Sequence, residues 1–207
     1  MVEPDALRDK WDARYRQGEG TPEPARILAE NLHLLPAQGR ALDLACGRGS
    51  NALLLGERGL EVTAWDLSPV AIERLAQAAA AGGIRVHAVV RDVLTHPPEP
   101  DSFDLILVSH FLDRGLAPAI AAALRPAGLL FYQTFTRESV SDCGPSNPAY
   151  RLDPNELLHL FPDLVVRYYR EEGRVGDLRL GSRDTAQLIA QRRPLSKARP
   201  EPVGKTV

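Results

Sequence analysis

The chain is poor in cysteine, lysine, methionine and aromatic residues. Its 207 residues include two cysteines, one methionine and 6% aromatics. Cys46 and Cys143 lie far apart and lack the close spacing of a metal-binding pair. That excludes a disulfide scaffold and a zinc module, and it suits a reducing compartment. Of 25 basic residues only three are lysine, and with 27 acidic residues the net charge is −2. No surplus of positive charge is available to hold a polyanion, so general nucleic-acid binding is not expected. No apolar run approaches the roughly 20 residues of a membrane span. The acidic opening Met1-Val2-Glu3-Pro4-Asp5 also lacks the basic start of a secretory leader. The expectation is a cytoplasmic protein without membrane or nucleic-acid partners, and nothing in the composition bears on oligomeric state.

What is present is an alternation of strands and helices. Apolar residues at helical spacing predict a helix over 25–35, ended by Pro36. Residues 40–45 read as a strand, 50–58 as a helix and 61–65 as a second strand. Ser68 with Pro69 opens a helix that runs to Ala81 and stops at Gly82-Gly83. Strands follow over 84–90 and 104–109, then a helix over 114–124 and a strand over 128–135. Beyond these lie a loop over 137–152, a helix over 154–161, and a terminal pair of strands over 164–169 and 185–191. The pattern predicts an α/β, three-layer, mostly parallel sheet with an antiparallel strand near the C-terminus.

The chemistry-bearing residues fall at the carboxyl ends of the predicted strands, where open α/β sheets bind ligands. Gly47 and Gly49 let the backbone turn sharply before a helix whose first N–H groups are free. Asp66 ends the second strand, 19 residues after Gly47, and can accept hydrogen bonds from both hydroxyls of a ribose. As a strand-end carboxylate it is expected at the surface, so that Asp66→Ala should spare the fold. Asp43 then separates two nucleoside ligands. Its carboxylate would repel the pyrophosphate of a dinucleotide, but it suits the ammonium and sulfonium of S-adenosylmethionine.

Residues 42–51, Leu-Asp-Leu-Ala-Cys-Gly-Arg-Gly-Ser-Asn, resemble motif I of class I S-adenosylmethionine-dependent methyltransferases. Trp11-Asp12-Ala13-Arg14-Tyr15 is similar to the opening Trp-Asp-x-x-Tyr of their small-molecule branch, which includes tellurite-resistance-type and thiopurine-type enzymes. Asp66 to Ala71, Phe103 to Ile106 and Leu124 to Leu130 resemble further motifs in order, with Ala127 standing where the pattern has glycine. The resemblance implies the Rossmann-like seven-stranded fold, S-adenosylmethionine as cofactor and a small-molecule or small oxyanion acceptor. It would place Asp43, Ala45, Gly47, Gly49 and Asn51 around the methionine end, Asp66 on the ribose, and Leu67 on the adenine face. Asp92 and Val93 would read the adenine edge, with Ser109 and His110 beside the reactive methyl.

Methyl transfer needs alignment and exclusion of water, with a base only if the nucleophile arrives protonated. His110 is the candidate base, and Trp11, Tyr15 and Tyr132 are candidate walls of the acceptor pocket. His33, His87, His96 and His159 show no ligand spacing, so no metal is expected. The division expected is a helical lid over 1–24, a methyltransferase domain over 25–193 and a flexible tail over 194–207. Two other readings stay open. One is a nicotinamide-dependent oxidoreductase, since residues 47–52 formally fit Gly-x-Gly-x-x-Ala. The other is a non-catalytic, S-adenosylmethionine-binding regulatory protein.

Overall fold

A computed structural model describes residues 4–17 and 22–194. Its centre is a seven-stranded sheet in the order β3-β2-β1-β4-β5-β7-β6. β1 (Arg40–Leu44), β2 (Glu61–Asp66), β3 (Val86–Val90), β4 (Phe103–Ser109) and β5 (Leu124–Phe135) run parallel to one another. β7 (Thr185–Gln191) lies antiparallel between β5 and β6 (Val165–Arg170). The α/β architecture and the antiparallel C-terminal strand are those expected from the sequence.

Strands buried on both sides are apolar at successive positions, and the sheet accordingly packs two cores. On one face Leu28, Leu55, Leu75, Leu105 and Phe131 join α2 (Arg26–Ala29), α3 (Ser50–Glu57) and α4 (Pro69–Ala81). On the other Leu44, Val108, Ile120, Tyr132, Leu157 and Phe161 join α5 (Ala117–Ala123) and α6 (Glu156–Leu160). α1 (Pro4–Gln17) packs on α4. Between β3 and β4 the chain crosses without a helix. Arg91 fastens this crossing, its guanidinium 4.0 Å from the Trp65 ring and its N–H groups donating to the carbonyls of His96 and Pro97.

Several element boundaries differ from the sequence reading. The helix expected over 25–35 stops at Ala29, and a 3-10 turn follows at Leu32–Leu34. The bend is at Asn31, whose amide turns back to donate to the Ile27 carbonyl. The helix expected over 114–124 is a 3-10 turn capped by Asp113, followed by α5. β5 begins at Leu124 rather than Gly128, because Leu124 already pairs with Phe103 across an irregular register. Of the tail expected over 194–207, residues 195–207 lie outside the described residues, as do Gly18 and Gly20 of the expected lid.

Candidate functional site: the carboxyl edge of the sheet

β1 ends in a turn that three left-handed residues make possible. Ala45, Gly47 and Gly49 have φ of 56°, 54° and 79°. The Gly49 N–H donates to the Cys46 carbonyl at 3.0 Å, closing the turn, and the Cys46 N–H donates to the Trp65 carbonyl of β2 at 2.9 Å. A Cβ on Gly49 would lie 2.3 Å from the Leu75 side chain, so the turn sits directly on α4. Beneath it Asp43 is fully buried. One of its carboxylate oxygens accepts from the Ala52 N–H at 3.0 Å, while Oδ1 has no partner. Burial pushes its pKa up to about 8; the Ala52 hydrogen bond and the neighbouring Asn51 side chain oppose this, and the nearby Asp66 adds to it. Arg40 lies over the Phe103 ring, 5.5 Å from its centroid.

Asp66 departs from the surface position expected of it. It is 6% exposed, and its two oxygens accept from the Gly47 N–H at 2.8 Å and the Ser68 N–H at 2.9 Å. It braces the glycine turn against the start of α4, so its removal would take out two loop hydrogen bonds as well as any ligand contact. Burial raises its pKa, opposed by those same N–H groups. Each oxygen keeps lone-pair capacity beyond one backbone bond. Leu67 follows it, half-buried.

Asp92 folds its side chain back to the Leu94 N–H at 2.9 Å, and Val93 turns its side chain into the core. Each therefore has a structural role of its own at the position that the resemblance gives to the adenine.

β4 ends in Ser109 and His110, and a buried polar chain reaches them from below. Asn51 accepts from the Ala25 N–H at 2.7 Å and donates to the Ser109 hydroxyl at 3.1 Å, tying the approach to α2, the start of α3 and the end of β4 together. His110 has φ 55° and stacks on Phe135, with ring centroids 4.8 Å apart. Its Nε2 is 3.4 Å from the side-chain amide of Gln133. Partial burial and the positive charge of Arg14 lower its pKa. Gln133 had no signal in the sequence, since a glutamine inside an apolar strand carries no motif.

Two segments frame this edge. On α1 the buried Asp12 accepts from the Ser68 hydroxyl, which docks the helix on the N-terminus of α4. Trp11 and Tyr15 stack at 5.7 Å, and the Tyr15 hydroxyl lies 3.1 Å from where a Gly47 Cβ would be. Burial, with Asp66 and Cys46 close by, raises the Tyr15 pKa. The other segment is the loop over 137–151, closed at its base by a bridge between Thr136 and Leu152. Arg151 donates to the carbonyls of Thr136, Cys143 and Pro145, and Arg114 donates to those of Ala149 and Arg151 while pairing with Glu156. Asp184 accepts from the Val140 and Ser141 N–H groups. The loop reads in sequence only as glycine and proline punctuation, but it is pinned by these three charged side chains. Tyr132, expected at the acceptor pocket, lies elsewhere. It is buried against Phe161 in the core, and its hydroxyl donates to the Phe111 carbonyl at 3.0 Å.

The site fits S-adenosylmethionine by its own chemistry. A fully buried carboxylate oxygen without a partner calls for a cation or a donor. The turn above it has no side chains at Gly47 and Gly49 to keep a ligand off. Residues 41–128 match the family model described as a methyltransferase domain. Over 115 residues the chain is 36% identical to the tRNA 5-carboxymethoxyuridine methyltransferase of Escherichia coli K12, covering 51% of this chain and 42% of that one. Over 137 residues it is 31% identical to the ubiquinone biosynthesis O-methyltransferase of Xanthomonas axonopodis pv. citri, covering 61% and 56%. It thus spans about half the length of these curated relatives. Among solved structures, TehB from Haemophilus influenzae superposes with a TM-score of 0.67 at 19% identity, over 90% of this chain and 67% of that one. A structure described for conversion of a disulfide bond into a thioacetal group during echinomycin biosynthesis gives 0.68 at 24%, over 93% and 94%. A match to a methyltransferase domain over residues 41–128 thus sits on a fold shared with these solved structures, and over that stretch the chain is similar to S-adenosylmethionine-dependent methyltransferases.

Proposed function

We propose that this protein transfers the methyl group of S-adenosylmethionine to a small-molecule or small oxyanion acceptor. The observation that carries the reading is the unpartnered, fully buried Oδ1 of Asp43 beneath a side-chain-free turn. When bound, the cofactor supplies an electrophilic methyl on a positively charged sulfur. Asp43 would hold its ammonium and Asp66 its ribose, with Leu67, Asp92 and Val93 about the adenine. Ala45, Gly47, Gly49, Asn51 and Ser109 would shape the methionine end. α1, with Trp11 and Tyr15, and the loop over 137–151 would keep water from the methyl. Both covers are short, which suits a small acceptor, and a cytoplasmic setting fits the two unpaired cysteines. No helix among the described residues is long and apolar enough to cross a membrane.

The test is calorimetry with S-adenosylmethionine, S-adenosylhomocysteine and NAD, followed by an acceptor screen read as S-adenosylhomocysteine release. Binding of the first two without NAD is the expected result. NAD binding alone would restore the oxidoreductase reading, and binding without turnover on any acceptor would favour a regulatory protein. The E. coli relative's name raises tRNA as an acceptor. The net charge of −2 weighs against it, and faster transfer to tRNA than to every small acceptor would replace the present proposal.

A further inference from the structure

We infer that His110 meets the acceptor as a hydrogen-bond donor and not as a base, so that the site takes an acceptor whose oxygen arrives already deprotonated. The inference rests on the methyl-transfer reading above and adds the substrate class.

Gln133 sets the tautomer of the His110 ring. Its side-chain Oε1 lies 2.9 Å from the backbone N–H of Ile27. A backbone N–H can only donate, so the atom facing it is the amide oxygen. The Gln187 amide donates to the same oxygen at 3.3 Å. That oxygen in turn orients the Gln187 amide, whose other contacts, the Tyr168 and Ser182 hydroxyls, can donate or accept as needed. These groups are buried, Gln133 at 5%, Gln187 at 0% and Ser182 at 2% exposed, so a flipped amide would strand donors against one another. The Gln133 NH2 therefore faces His110 Nε2. Nε2 must be the acceptor, and the neutral ring carries its proton on Nδ1.

Nδ1 has no partner among the described residues. A second proton would have to go on Nε2, against the Gln133 N–H, and Arg14 on α1 opposes it further. The groups on β5 that touch the ring, Gln133 and Phe135, are neutral, and no carboxylate pairs with it among the described residues. Arg14 itself lies 5.5 Å from the Trp11 ring and pairs with no carboxylate among the described residues. An Nδ1–H and a guanidinium without an acidic partner are two donors at one edge of the site, a pair that suits a carboxylate or oxyanion. In the transfer the acceptor oxygen brings the electron pair for its new bond to carbon. The carbon–sulfur bond breaks with its pair left on sulfur, and no proton moves.

The tautomer can be read without any acceptor, from long-range proton–nitrogen correlations of 15N-labelled protein, with His110→Asn used for assignment. A protonated Nδ1 and a bare Nε2 are expected, and Gln133→Glu should reverse them. A wild-type ring protonated on Nε2 overturns the inference. The second arm is a panel of small carboxylates and oxyanions against matched amides, amines and phenols. Turnover confined to the anions is expected, with kcat/KM for the acceptor, at saturating S-adenosylmethionine, flat below neutral pH. Arg14→Gln should raise KM by roughly ten- to a hundredfold. Faster transfer to an amine or phenol, or an acid limb matching titration of His110, also overturns it. Absence of S-adenosylmethionine binding in calorimetry sinks the methyl-transfer reading instead and leaves the tautomer result standing.

Discussion

Asp43 holds a proton in the free protein near neutral pH, because burial raises its pKa to about 8. An unfolded aspartate titrates near ~3.9. The native state therefore binds more protons than the unfolded chain between these values. Stability from this group falls as pH rises through that window and is level above it. A cation placed against Oδ1 reverses the shift. S-adenosylmethionine binding at pH 7 should release close to one proton, visible as a binding enthalpy that changes with the ionisation enthalpy of the buffer. Asp43→Asn should abolish the release and weaken binding by about ten- to a hundredfold. A buffer-independent enthalpy in the wild type would refute the role. Ala127 offers a different test. It stands where the family pattern has glycine, is exposed, and has φ 68°. A left-handed L-residue costs roughly 1–2 kcal/mol, and glycine gives back part of that in unfolded-chain entropy. Ala127→Gly should raise stability by about 0.5–1 kcal/mol, seen as a higher urea midpoint with an unchanged slope. At this scale the sequence was legible where chemistry is short-range. Gly47, Gly49 and Asp43 declared themselves by type and spacing. The burial of Asp66 and the contact of Gln133 with His110 did not, since both depend on which strands become neighbours in space.

Among the elements, α1 meets the domain through the buried Asp12 on the Ser68 hydroxyl, Tyr15 against the Gly47 turn, and the Arg74 guanidinium donating to the Arg16 carbonyl at 3.0 Å. Ser68 also caps α4 through the Ala71 N–H at 3.2 Å. Asp12→Ala should free the helix and leave that cap intact. Faster amide exchange over residues 4–17, a stability loss of about 1–2 kcal/mol and a large drop in methyl transfer are expected. Unchanged turnover with a freed helix would show that α1 is no cover. The Trp11–Tyr15 spacing made this helix visible in the sequence, but its docking partner was not, because Ser68 reads only as a cap. β5 shows the opposite failure. Pro126 and Gly128 punctuate like a turn, yet Leu124 has already entered the sheet beside Phe103. Local turn chemistry and strand pairing coexist there, and only the pairing partner reveals it.

For the molecule as a whole, the strand order sets a schedule. β6 pairs only with β7, and β7 also supplies the outer partner of β5. β7, the last strand among the described residues, thus fills the middle of one half of the sheet. While a ribosome is still making residues 185–191, β5 presents a long open edge rich in Leu, Phe and Tyr, and β6 has nothing to join. Unpaired edges of this kind template aggregation, and non-local pairing is slow to form. A chain ended at residue 183 should keep helical signal from its first half but aggregate. Adding residues 184–194 as a separate peptide during refolding should recover soluble protein, and a soluble, monodisperse truncation would contradict the scheme. Until residues 185–191 emerge, a nascent chain is therefore exposed along the β5 edge, where a holding factor or slow release would protect it.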